Sequence, residues 1–239
     1  MPWLKGQKGT ERLTKLSLLA FRKRYLGIKG AENILPENDA FILAANHSQR
    51  PEALLLPAIL MYCREGKHVH FMADWNFALI PGVSAFYKAG GVVLVNRKPA
   101  RPAPLNLFRP LFTDGRGPLD QAEDLLREGR SVGIFPEGTA NRDPRNLLKG
   151  FSGAARLSLR TGAPVIPTGI RFPNHSGHGP IQDDEPMEIE FGRPMTPSGA
   201  SEKPHFRDVK NWHEQIMREI SNLSGKAWQP RSGRRKQCP

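Results

Sequence analysis

From residue 40 to residue 191, short apolar runs alternate with stretches of helical periodicity, and that alternation restricts the chain to an α/β architecture. Residues 40–45 (AFILAA), 68–72 (HVHFM), 92–95 (VVLV), 132–135 (VGIF), 165–170 (VIPTGI) and 187–191 (MEIEF) read as strands. Helices are expected over 51–62, opened by Pro51 at a first-turn position, and over 75–88, 119–128 and 151–160. Residues 97–118 are rich in Pro and Gly and read as an excursion or lid, and 173–186 as a polar loop. Val209, Trp212, Ile216, Ile220 and Leu223 keep helical spacing up to a stop at Gly225, the mark of a helix packed on the domain. The fold class is therefore α/β, with a mixed, largely parallel sheet and flanking helices. Its expected parts are a basic amphipathic segment over 1–30, an α/β domain over 31–200, a packed helix over 201–226 and a basic tail over 227–239.

A chain of 239 residues, 38% hydrophobic and 24% charged, can bury a real core, which excludes a disordered or collagen-like protein. Cys63 and Cys238 make neither a disulfide framework nor a metal-type pair, so no metal site is expected and the chain reads as made in a reducing compartment. The longest apolar run, 53–63, contains Pro57 and is too short to span a bilayer, which takes about 18–20 residues.

Lys plus Arg outnumber Asp plus Glu by 35 to 23, giving +12, a field that draws polyanions. Residues 1–24 hold seven Lys/Arg against Glu11 alone, and the last nine hold four with no acid. Residues 11–26 read as a helix with Leu13, Leu16, Leu19 and Phe21 on an apolar side and Arg12, Lys15, Arg22 and Arg24 as cationic heads. Such a helix can lie in an anionic bilayer interface; the alternative is an ordinary surface helix. A nucleic-acid partner is not expected, because the chain lacks aromatic–basic interleaving, a helix-turn-helix and a zinc module.

The chemistry gathers at strand ends. The first strand runs into Asn46-His47-Ser48-Gln49-Arg50-Pro51-Glu52. The turn can bring Glu52 against one imidazole nitrogen of His47, fixing the tautomer and leaving the other nitrogen as a general base. No Gly-x-Ser-x-Gly elbow is present, so His47 would act directly on a substrate hydroxyl. The 132–135 strand leads into Pro136-Glu137-Gly138-Thr139, where Gly138 lets backbone N–H groups approach a ligand and Glu137 can accept from hydroxyls. Arg142 and Lys149 add charge suited to a phosphate, and Arg97 follows the 92–95 strand. Ligands of open α/β sheets bind beyond the carboxyl ends of strands, which makes His47, Arg97 and Glu137 expected neighbours. A surface ion pair is the alternative for Arg97.

Taken in order, NHSQRPE, GGVVLVNR, FPEGT and VIPTGI resemble the glycerophospholipid acyltransferase family, which includes lysophosphatidic acid acyltransferase, over roughly residues 35–194. The resemblance implies that His47 deprotonates an acceptor hydroxyl, with Glu52 as its orienter, and that the hydroxyl attacks an acyl thioester. Acyl-CoA or acyl carrier protein is then a cosubstrate, with no metal and no other cofactor. Arg97 would contact the phosphate of a lysophospholipid such as 1-acylglycerol-3-phosphate, while Glu137, Gly138, Thr139 and Arg142 would hold the acceptor, and Pro167 lies in a structural motif. The implied location is peripheral, on the cytoplasmic face of a membrane. Two departures stand out: the family's acid is Asp where this chain has Glu52, and its Arg after FPEGT is Ala140 here. An aminoacyl-lipid or glycolipid acceptor, or a catalytically silent lipid-binding relative, are the alternatives these departures leave.

Overall fold

A computed structural model describes residues 22–75, 79, 92–95, 103–112 and 116–230. The strands are β1 (Tyr25–Lys29), β2 (Ile42–Ala45), β3 (Val69–Asp74), β4 (Val93–Val95), β5 (Ser131–Ile134), β6 (Val165–Arg171) and β7 (Met187–Phe191). The helices are α1 (Glu52–Cys63), α2 (Pro118–Arg127), α3 (Gly153–Thr161) and α4 (Phe206–Ser224), and short 3-10 turns include Ala103–Phe112 within the expected excursion. Among the described residues the sheet has seven strands in the order β1-β7-β6-β2-β5-β3-β4. All neighbours run parallel except β6 and β7, so the sheet is mixed and largely parallel, as expected.

Strand β2 shows why a continuous apolar run marks the centre of such a sheet. Ile42 and Ala44 face a core built with Val132, Ile134, Ala154, Leu157, Trp212 and Ile216, on the side of α2, α3 and α4. Leu43 and Ala45 face the opposite core with Leu55, Leu56, Ile59 and Leu60 of α1 and Ile166 of β6. Side chains alternate across a strand, so both faces must be apolar when helices cover both. Helix α4 lies directly on β6: a Cβ at Gly169 would stand 2.3 Å from the Leu223 carbonyl carbon. Only glycine permits that approach.

Two boundaries differ from the sequence reading. Tyr25–Lys29, whose first two residues fall within the expected basic helix, form a strand paired parallel with β7 through Ile28–Ile189 and Lys29–Glu190. The start of the expected basic tail belongs to the fold instead. Ala227 bonds both ways with the 145–147 loop, and Trp228 packs against the core on the α4 side. The rest of the expected amphipathic segment, residues 1–21, and most of the expected 75–88 helix lie outside the described residues. Among the described residues, no helix is long and apolar enough to cross a membrane.

Candidate active site

His47 leaves the carboxyl end of β2, and α1 begins five residues later at Glu52. That turn brings His47 Nδ1 to 2.7 Å from Glu52 Oε2. The same oxygen accepts the backbone N–H of Ser48 at 2.7 Å. Glu52 is fully buried, whereas the His47 side chain keeps 13% of its surface exposed. The extra methylene of Glu over Asp therefore does not prevent the contact. With Nδ1 turned inward, Nε2 is the nitrogen available to a substrate, and no hydrogen bond occupies it among the described residues. The ring stacks on Phe135, centroids 4.4 Å apart, which fixes its plane. Asn46 serves the frame: its amide donates to Ile170 O at 3.0 Å and accepts from Ile170 N at 2.7 Å, continuing the β2–β6 ladder past the end of the strand.

Register explains how the second motif arrives here. Ala44 pairs with Ile134, so the residues that follow β2 and β5 emerge side by side. Gly138 has φ 67°, and a Cβ there would meet the Phe151 ring at 2.7 Å; the tight turn needs glycine. Gly138 and Thr139 are exposed beside this turn.

Glu137 lies between the two loops. It is buried, and its oxygens accept from His47 N at 3.1 Å, Asn141 Nδ2 at 2.7 Å and Leu148 N at 2.9 Å. Both of its oxygens meet protein donors, so it fastens the two loops. Burial pushes its carboxyl above the ordinary range, against those donors and the pull of Lys226.

Arg142 is engaged as well. Its guanidinium donates to Asp183 Oδ2 at 2.6 Å and to Ile181 O at 3.0 Å. Arg50 N also donates to Asp183 at 3.1 Å, and Gln49 Nε2 donates to Glu185 O at 3.0 Å. Burial raises the Asp183 carboxyl, but Arg142 and the Arg50 N–H outweigh it and hold it below the ordinary range. The polar 173–186 loop is thereby strapped to both motif loops. Arg97 lies outside the described residues.

Lys226 is a residue that sequence reasoning missed. It is buried, 3% exposed, and its Nζ donates to Ser48 Oγ at 2.7 Å across 178 residues of chain. Nothing local marks it, because a lysine after a helix stop reads as surface. Among the described residues, no cluster of His, Cys, Asp and Glu could hold a metal ion. What the arrangement offers is a carboxylate-oriented imidazole at the lip of a sheet, with exposed Gly138 and Thr139 nearby.

Known proteins carry the same framework. The crystal structure of the 1-acyl-sn-glycerophosphate acyltransferase PlsC from Thermotoga maritima superimposes with a TM-score of 0.60 over 92% of this chain and 81% of that one, at 21% identity, a likeness of fold. A 1-acyl-sn-glycerol-3-phosphate acyltransferase of Borreliella burgdorferi is 32% identical over 150 residues, 62% of this chain and 52% of that protein, so the chain spans about half its length. One of the same name from Bacillus subtilis is 25% identical over 193 residues, 80% of this chain and 85% of that protein. The Acyltransferase family profile matches residues 26–171, which take in β2 through β6 and the loops that follow β2 and β5, and the chain belongs to that family.

Proposed function

We propose that the protein moves a fatty acyl group from an acyl thioester, acyl-CoA or acyl carrier protein, to the hydroxyl of a lysophospholipid such as 1-acylglycerol-3-phosphate. The observation that carries this reading is the 2.7 Å contact of His47 Nδ1 with buried Glu52, which turns Nε2 outward at the end of β2. The names of the Borreliella and Bacillus relatives support the acceptor.

In this mechanism His47 Nε2 takes the proton of the acceptor hydroxyl as its oxygen attacks the thioester carbonyl. The tetrahedral intermediate collapses with cleavage of the C–S bond, and the imidazolium returns the proton to the departing thiolate. Glu52 holds the Nδ1–H and stabilises the imidazolium between the two transfers. Arg97 and Arg50 are the proposed phosphate contacts, each beyond the end of a strand. Gly138 and Thr139 line the approach of the acceptor.

A second acceptor class has one observation in its favour. Arg142, the nearest arginine after FPEGT, is tied to Asp183, and Ala140 stands where the family carries Arg. An acceptor without a phosphomonoester, such as an aminoacyl-lipid or glycolipid, would not need that contact.

The acyl acceptor is a membrane lipid, so we propose peripheral attachment to an anionic surface through the basic N-terminal segment. Each Lys or Arg near such a surface contributes about 1 kcal/mol. Its residues 22–24 (RKR) directly precede β1, the edge strand of the sheet.

The test is an acceptor screen with labelled acyl-CoA and acyl-ACP, products identified by mass and thiol release followed in parallel. Phosphatidate formed from lysophosphatidate with stoichiometric thiol supports the reading. No acylated product from any lysophospholipid, aminoacyl-lipid or glycolipid would overturn it.

A further inference from the structure

Lys226 lies beyond residues 26–171, outside the strand-end motifs, yet it reaches Ser48, next to His47. Gly225, at φ 71°, ends α4 in a left-handed cap, and the chain then pairs with the 145–147 loop. There Ala227 N donates to Arg145 O at 2.7 Å and Leu147 N donates to Ala227 O at 2.9 Å. Those bonds deliver the Lys226 side chain inward to Ser48.

Ser48 joins the lysine to the dyad. Its hydroxyl receives Lys226 Nζ, and its backbone N–H donates to the same Glu52 oxygen that meets His47. Glu52 is buried and its other oxygen, Oε1, is buried without a hydrogen bond among the described residues. A carboxylate in that condition is costly unless a positive charge is near. Glu137, also buried, holds His47 by its backbone. Among the described residues, the charged groups facing the dyad are Glu137, from the loop after β5, and Lys226, from the segment after α4; Asp143, from the loop after β5, acts on Lys226. Phe135, on the imidazole face, is neutral.

We propose that Lys226 is a positioning residue for acyl transfer: its buried ammonium anchors Ser48 and balances Glu52 and Glu137, so that the His47–Glu52 pair stays ready to accept the substrate proton. This rests on His47 acting as the base. A cation beside the pair opposes the binding of a further proton. Without it, protonation of the pair becomes easier and the base is silenced at a higher pH. Burial pushes the lysine below its ordinary range, while Glu137, Glu52 and Asp143 pull the other way and favour the charged form.

The test is the pH profile of kcat/KM for Lys226→Gln, which keeps a donor for Ser48 but no charge, beside Lys226→Arg, which keeps the charge. The acid limb of Lys226→Gln should lie about one pH unit above wild type, with Lys226→Arg close to wild type. A merely structural role would lower the amplitude and leave the limb in place, and that result overturns the proposal. Because Lys226→Gln strands two carboxylates and its folding is at risk, a second measurement uses the wild-type chain. In a ¹⁵Nζ-lysine titration, the slowly exchanging buried ammonium should inflect at the pH where the His47 ring titrates, since coupling between two sites is reciprocal. Absence of that inflection also overturns it. The titration needs no turnover, so an inactive protein whose two signals inflect together would sink the catalytic reading while leaving the coupling in place.

Discussion

Glu137 Oε1 accepts the backbone N–H of His47 at 3.1 Å, so the base is held from two sides, its ring by Glu52 and its main chain by Glu137. Asn141 N closes the circuit by donating to His47 O at 2.7 Å. The two loops are thus fastened to each other, and the geometry of the base depends on a second carboxylate besides Glu52.

Replacing Glu137 with Ala removes the acceptor for His47 N, Leu148 N and Asn141 Nδ2 together. A buried donor left unpaired costs about 1–3 kcal/mol. Urea unfolding of Glu137→Ala should show a loss of about 3 kcal/mol or more. Acyl transfer should fall through kcat rather than through the KM of either substrate. Wild-type stability in this variant would show that the loops are held by other contacts.

Glu52 places His47 Nδ1 and Ser48 N on one oxygen. Glu52→Gln has no charge to stabilise an imidazolium and should lose about 10²–10⁴ in kcat, the range of general-base catalysis. Glu52→Asp keeps the charge on a shorter arm and should fall between the two. Steady-state kinetics on the three proteins orders them, and equal rates for Glu52→Gln and wild type would remove Glu52 from the mechanism.

Gly169 lies under α4, where a methyl group would strike the Leu223 carbonyl carbon and oxygen at 2.3 and 2.5 Å. The obstacle is backbone, so the helix must lift as a body. Overpacking costs about 1–3 kcal/mol, and Gly169→Ala belongs at the upper end. Its melting temperature should fall by several degrees, with activity falling too, because α4 leads directly to Lys226. An unchanged melting temperature would mean that the β6–α4 contact is looser than described.

At the opposite end of the sheet, Arg64 is fully buried and its Nη2 donates to both Asp39 oxygens at 2.7 and 2.9 Å. Burial raises the Asp39 carboxyl, but Lys67, Ser131 and Arg64 together hold it below the ordinary range. The unfolded chain then binds that proton more tightly than the folded one. The contribution is present above the unfolded value of about 3.9 and is lost as pH falls through the depressed folded-state value. Asp39→Asn should cost about 3 kcal/mol at pH 7, because it leaves a buried guanidinium unpaired, and should flatten the acid loss of stability. Urea unfolding at neutral and acid pH checks both; parallel curves for the two proteins would contradict the assignment.

The central strands are legible in the sequence because burial on both faces leaves continuous apolar runs, as Ile42–Ala45 and Val165–Arg171 show. Strand β1 is not, because Tyr25 and Leu26 extend the apolar spacing of the basic segment, and only the free edge of β7 makes them a strand. The His47–Glu52 contact is legible because five residues of turn confine it. The protein partners of Glu137 and Arg142 are not legible, because a sequence shows that a group is polar but not which partners it meets. Lys226 meets Ser48 across 178 residues, a distance over which no local pattern speaks.

The central claim is that His47 removes the acceptor proton, and the most direct measurement is turnover of folded His47→Ala with saturating lysophosphatidate and labelled acyl thioester. The ring is only 13% exposed, stacks on Phe135 and meets buried Glu52, so the variant should lose some stability, and circular dichroism must show it folded before turnover is read. The account predicts a fall of about 10²–10⁴ in phosphatidate formation. A folded His47→Ala that keeps more than about a tenth of wild-type turnover would contradict it.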